Sequence, residues 1–121
     1  MSDAKTPVRK KIAVPVEGGR LAAHFGHCSA FELFEIDAAA CTIARSEIVD
    51  APPHEPGRLP AWLSALGVEV VIAGGMGHRA QDLFRASGID VVVGAPGNAP
   101  RDVVQSYLEG TLEAGQNLCD H

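Results

Sequence analysis

Hydrophobic and polar positions fall into short blocks along this chain, and the blocks define the elements. The most informative stretch is Val68-Glu69-Val70-Val71-Ile72-Ala73-Gly74-Gly75-Met76-Gly77-His78-Arg79-Ala80. Its apolar run over 70–73 is short, rich in β-branched residues and closed by glycine, which reads as a strand rather than a helix. Apolar residues on both alternating faces place such a strand in the middle of a sheet covered on both sides. A helix should follow to about residue 87. A second β-branched run, Val91-Val92-Val93, then comes at the distance that a parallel crossover needs. Residues 68–93 therefore read as a βαβ unit.

The other blocks extend the sheet. Lys11-Ile12-Ala13-Val14-Pro15-Val16 reads as the first strand, with Pro15 near its end, where a missing amide donor matters least. Glu17-Gly18-Gly19-Arg20 reads as a turn, and residues 21–29 as a loop. Residues 30–37 and 42–49 read as two strands of an antiparallel hairpin joined through Asp37-Ala38-Ala39-Ala40-Cys41. A proline-rich connection over 50–59 leads to a helix with Pro60 in its first turn and Gly67 just past its end. Leu59, Trp62, Leu63 and Leu66 recur at the spacing of one helix face. A last helix opens at Pro100, with Val103, Val104, Tyr107 and Leu108 inward, and stops at Gly110. The order β-β-β-α-β-α-β-α implies a mixed five-stranded sheet with helices on both faces.

Composition narrows the setting. At 121 residues the chain is one domain, expected as a flexible basic tail over 1–10 and a single unit over 11–121. The net charge is −5; Lys5, Arg9, Lys10 and Lys11 against Asp3 leave +3 on the first eleven residues and −8 on the remainder. An acidic body argues against nucleic acid, where neutralisation of phosphate dominates affinity. No apolar stretch approaches the roughly 20 residues of a membrane span, and the start lacks the apolar centre of a signal peptide. The cytoplasm is the expected location. Three cysteines cannot all pair within one chain, so at least one thiol is free, coordinated or intermolecular.

The chemistry-bearing residues gather in loops. His24-Phe25-Gly26-His27-Cys28 sets two imidazoles and a thiol within five residues, a set that favours Zn, Fe, Cu or an iron–sulfur-type cluster over Mg or Ca. Cys119-Asp120-His121 ends the chain with another thiolate and imidazole two positions apart. His54, in Pro-Pro-His-Glu-Pro-Gly, is a further loop histidine stiffened by prolines. Cys41 reads as a bystander at the hairpin end, and His78 as a residue of the glycine turn. That turn formally satisfies G-x-G-x-x-A between a strand and a helix, the context of a dinucleotide fingerprint. It follows a late strand, however, and the next strand ends in Val93-Gly94-Ala95, without a carboxylate for a ribose. A tight structural turn is the simpler reading. No G-x-S-x-G, H-E-x-x-H or paired C-x-x-C motif occurs.

Taken together, Lys11-Ile-Ala-Val-Pro-Val, Leu21-Ala-Ala-His-Phe-Gly-His-Cys, Val71-Ile-Ala-Gly-Gly-Met-Gly, Gly88-Ile-Asp-Val and Tyr107-Leu-Glu-Gly-Thr-Leu resemble the dinitrogenase iron–molybdenum cofactor biosynthesis family. The likeness spans about residues 10–121. It implies a ribonuclease-H-like three-layer α/β fold and non-enzymatic binding of a metal–sulfur cluster, iron–sulfur or molybdenum-containing, or of its precursor. The ending Asn117-Leu-Cys-Asp-His and the Pro-Pro-His-Glu-Pro-Gly segment are similar to a subgroup from anaerobes that is associated with ATPases of the ParA/MinD type. A related carrier, the orange protein, holds a molybdenum–copper sulfide cluster. The fold name alone does not imply a nuclease, since two-metal chemistry needs carboxylates on the central strands and residues 12–16 have none.

The expectation is a cluster carrier or scaffold whose ligands are His24, His27, Cys28, Cys119 and His121, with His54 a sixth metal ligand. Its partners would be the cluster itself and a ParA/MinD-type ATPase or cluster-accepting protein, with neither nucleic acid nor membrane. The rivals are a small-molecule or nucleotide-binding regulatory module using Gly74–Gly77, and a protein-interacting adaptor with incidental cysteines.

Overall fold

The computed structural model describes residues 9–17, 20–21, 30–37, 42–52, 58–95 and 99–109. Six strands and three helices follow in the order β1 (Arg9–Glu17), β2 (Arg20–Leu21), β3 (Ala30–Asp37), β4 (Thr42–Asp50), α1 (Arg58–Ala65), β5 (Val70–Ile72), α2 (His78–Ala86), β6 (Asp90–Val92) and α3 (Pro100–Glu109). Five strands form the continuous order β4-β3-β1-β5-β6, and β2 adds a short pairing to β1. The β1–β3 and β3–β4 pairs are antiparallel, whereas β1–β5 and β5–β6 are parallel. This is the mixed five-stranded sheet of the ribonuclease-H-like three-layer fold, with β5-α2-β6 as its βαβ unit.

Side-chain alternation along the strands divides the core into two. On one face Ala13, Phe31, Leu33, Val71 and Ala73 pack with Leu59 and Leu63 of α1 and Phe84 of α2. On the other, Ile12, Val14, Val16, Phe34, Ile36, Val70 and Ile72 pack with Val103 and Val104 of α3. Helices therefore cover both faces. The inward residues are those that the sequence spacing picks out: Trp62 and Leu66 flank the first cluster, and Tyr107 and Leu108 the second.

Local signals explain where the helices stop. Gly67 and Gly88 adopt φ of 86° and 82°. Gly67 donates to the Ser64 carbonyl and Val68 to that of Leu63, while Gly88 donates to Arg85 and Ile89 to Phe84. Both are Schellman closures, in which glycine takes the left-handed position without a Cβ penalty. Beyond Gly67, Lys11 Nζ donates to the Leu66 carbonyl at 2.9 Å. This places a cation at the negative end of α1 and ties it to the start of β1.

Several boundaries depart from the sequence reading: α1 begins at Arg58, inside the stretch read as a connection, and β1 and β4 run on to Glu17 and Asp50. β1 begins at Arg9, because antiparallel pairing with Asp37 extends it past the apolar run. Arg20–Leu21 pairs with Val16–Glu17 instead of lying in a turn and loop. β6 covers Asp90–Val92 rather than 91–93, since its register is set by β5, with Val70 opposite Asp90.

Because one sheet is shared by both clusters, neither half of the core should melt alone. Leu63→Ala on one face and Ile72→Ala on the other, both fully buried, should each cost about 2–5 kcal/mol. Each should shift one cooperative unfolding transition, followed by circular dichroism in denaturant.

Candidate functional site

Parallel pairing puts the carboxyl ends of β1, β5 and β6 at one end of the sheet. In open α/β sheets ligands bind outside such ends, where the strand order changes direction. Here that point is β1, with β3 and β4 on one side and β5 and β6 on the other.

Antiparallel pairing brings further segments to the same end. Val16 pairs with Leu21 and also with Ala30, so β2 and β3 lie on opposite sides of it. β2 thus takes up the side of β1 that β5 occupies at Ile12 and Ala13. Pro15 falls between those two pairings, where a missing amide donor interrupts neither. Ala30 in turn pairs with Asp50, so β4 also ends here. Val49 and Ala51 pack against the first core cluster, and the Trp62 ring of α1 meets Phe31 edge-on, centroids 5.8 Å apart at 62°.

The exit of β5 is the best-defined part of this end. Ladder bonds continue past the strands: Ala73 donates to Val92, Gly94 to Gly74 at 2.7 Å, and Ala95 to Ala73. Gly74, Gly75 and Met76 are buried. Gly77 caps α2 in an extended conformation, with φ −63° and ψ 155°, and its carbonyl accepts from the Gln81 amide. The Gln81 side chain is buried and donates through Nε2 to the Met76 carbonyl at 2.9 Å, while its Oε1 accepts from Arg85 at 3.3 Å. The glycine stretch is thus a stapled structural turn, locked to the β6 exit through its own peptide groups. Sequence reasoning missed this glutamine; the signal was its position three residues before Phe84, on the inward face of α2.

The expected ligands are placed as follows. His24, His27 and Cys28 lie between Leu21 and Ala30, outside the described residues. His54 lies between Pro52 and Arg58, also outside them, as do Cys41 and, beyond Glu109, Cys119 and His121. His78 is described: it is the exposed first residue of α2, beside exposed Arg79. Among the described residues, no group of three or more His, Cys, Asp or Glu converges as a metal site. No helix among them is long and apolar enough to cross a membrane. The described part of this end is therefore a frame: the residues flanking 22–29 and the chain leading into 53–57 are anchored to it.

Comparison with known proteins agrees with the fold and extends it. The family model described as dinitrogenase iron-molybdenum cofactor matches residues 8–110. The uncharacterized protein MJ0580 of Methanocaldococcus jannaschii is 34% identical over 108 residues, covering 85% of this chain and 89% of its own length. The crystal structure of PH0822 superposes with a TM-score of 0.78 at 29% identity, over 86% of this chain and 93% of that one. The apo form of the orange protein from Desulfovibrio gigas gives a TM-score of 0.71 at 27% identity, over 93% and 98% of the two chains.

Two outcomes follow from the stapled turn. Gln81→Leu should cost about 1–3 kcal/mol by removing the Nε2 hydrogen bond to the Met76 carbonyl, read as a lower denaturant midpoint. ATP or NAD should leave the melting temperature unchanged. A nucleotide bound at 100 times its dissociation constant would instead add about 2.7 kcal/mol, a shift that differential scanning fluorimetry resolves.

Proposed function

This chain belongs to the dinitrogenase iron-molybdenum cofactor family, and on that premise we propose that it is a non-enzymatic carrier. Its cargo is a metal–sulfur cluster, iron–sulfur or molybdenum-containing, or the precursor of one. The cargo sits at the carboxyl end of β1, β5 and β6. His24, His27, Cys28, Cys119 and His121 are its ligands, and His54 is a sixth.

The observation that carries this reading is the anchoring of segment 22–29. Leu21 and Ala30 flank Val16 on its two sides, which puts them roughly 10 Å apart, two strand spacings. His24, His27 and Cys28 fall in the eight residues between these two anchors, which supports a site at the end of β1. The family match runs across this whole segment, since it covers residues 8–110. Thiolate and imidazole are the donors that soft metals and sulfide clusters take. The likeness to the orange protein over 93% of the chain supports a carrier role further.

The C-terminal donors start from farther away. α3 begins past the β6 exit, and its Tyr107 and Leu108 pack with the cluster containing Ile36 and Ile43. Those two residues pair with each other, and Ile36 also faces Lys10, near the opposite end of the sheet. The ten residues from Glu109 to Cys119 span up to roughly 33–36 Å when extended, against about 30 Å for a nine-residue strand. The reach is sufficient for the tail to return across the domain and close the site.

Anaerobic reconstitution with iron and sulfide, with or without molybdate, tests the reading. The loaded protein should show visible charge-transfer absorption and bound sulfide. His24→Ala, Cys28→Ala and deletion of residues 118–121 should each abolish most of that signal. The deletion should change apo-protein stability by no more than about 0.5 kcal/mol, as for a surface change. A colourless protein that takes up only stoichiometric zinc would overturn the cluster reading, and a truncated chain with its full cluster content would remove the tail from the site.

A further inference from the structure

Among the described residues, the outer edge of β4 is the longer of the two open edges of the sheet. β4 is a terminal strand of nine residues, Thr-Ile-Ala-Arg-Ser-Glu-Ile-Val-Asp, and on its outer side it pairs with nothing among the described residues. Sheets ordinarily protect such an edge with charges, above all lysine, or with proline, a bulge, short length or a cover, and of these β4 carries Arg45, Glu47, Asp50 and a bulge. β4 has neither lysine nor proline, and its Ile48 is 63% exposed, a large hydrophobic side chain left in solvent. The opposite edge, β6, is only three residues long.

We propose that β4 pairs antiparallel with β4 of a second copy, about a two-fold axis through Ser46, joining the two sheets into one. The register follows from symmetry and charge. Residues directly opposite in an antiparallel pair lie on the same face, and a two-fold axis normal to the sheet keeps each side chain on its own face. The axis must therefore pass through a residue and not between two. Centring on Arg45 or on Glu47 sets that charge against its own copy. Centring on Ile48 sets Glu47 against Val49 and Ser46 against Asp50, with no opposite charge for Arg45. Centring on Ser46 places Arg45 opposite Glu47 twice, within the stretch of regular alternation, so unlike charges meet.

Two features within one chain agree with that register. Arg45 Nε lies 3.5 Å from Glu35 Oε2 on β3, so pairing with Glu47 of the second copy would continue an alternation of charge across three strands. The register shift between Glu35 and Ile36, where Arg45 and Ile43 are their partners, makes Ala44 an extra residue on β4. This bulge ends the regular ladder at each side of the three central residues, 45–47. One short ladder buries less surface than a standard stable interface, so the dimer should be concentration-dependent.

Sedimentation equilibrium of the full chain across micromolar to millimolar concentration tests this with Arg45→Glu, Glu47→Arg and the double variant. Each single change turns two attractive pairs into two repulsive ones and should weaken the dimer at least about tenfold. The double variant should recover to within about threefold of the original chain. It does not restore the Arg45–Glu35 contact, and thermal unfolding of the monomer reads that loss separately. Ile48→Lys, at a position already exposed, should also dissociate the dimer without unfolding the chain. A chain that stays monomeric throughout overturns the proposal, as does a dimer that the single variants leave intact, which would mean another contact surface or another segment along β4. Failure of the double variant to recover overturns the Ser46 register.

Discussion

Burial of β1 on both faces is the constraint on which the rest of the domain depends. Ile12, Ala13 and Val14 have no exposed surface, and Val16 has 5%. Their side chains alternate between two clusters, so neither face can be left to water. Burying a valine or isoleucine side chain is worth about 1.5–3 kcal/mol, and both layers are needed to secure it. α1 and α2 supply one layer and α3 the other. The edges of β1 are likewise taken, by β3 along one side and by β5 and then β2 along the other.

The same centrality makes the two ends of the sheet chemically different. At the amino end of β1, Lys11 caps α1 through the Leu66 carbonyl, and Arg45 lies beside Glu35. That end carries polar contacts within the chain, around a cavity of about 270 Å³ lined by Lys10, Lys11, Glu35, Leu66 and Gly67. At the carboxyl end, β2, β3, β4, β5 and β6 all begin or finish around Val16, and each adjoining segment starts from a fixed anchor. The proposed carrier role would use this arrangement, because donors on separate segments would have to converge on a single centre while the scaffold stays rigid. The stapled glycine turn adds to the rigidity.

An antiparallel pairing of two β4 strands would set these ends far apart. The two-fold axis reverses the strand direction, so the carboxyl ends of the two β1 strands point opposite ways along the joined sheet. Each copy would keep its own site, facing solvent and a recipient independently. The proposed association is centred on Ser46 of β4, and the proposed cargo site on the end of β1.

Local periodicity was enough to reveal the helices and most of the strands. Leu59, Trp62, Leu63 and Leu66, and then Val103, Val104, Tyr107 and Leu108, announce their inward faces because a helix repeats within four residues. Gly67 and Gly88 announce helix ends because few other residues accept a positive φ. The proposed donors rest on residue type alone, since a histidine or cysteine is visible without its surroundings, and they lie outside the described residues. The strand order, the β2 pairing, the bulge at Ala44, the extension of β1 to Arg9 and the Gln81 staple were not. Each depends on contacts between residues distant in the chain or on a side chain meeting a turn, and no window of sequence contains both partners. By itself, then, the sequence determined the helices, the longer strands and which donor types the chain carries. Only the tertiary register decided that Val16, Ala30, Asp50 and Ala73 share one end of the sheet, because strand pairing is a long-range choice driven by burying β1 on both sides.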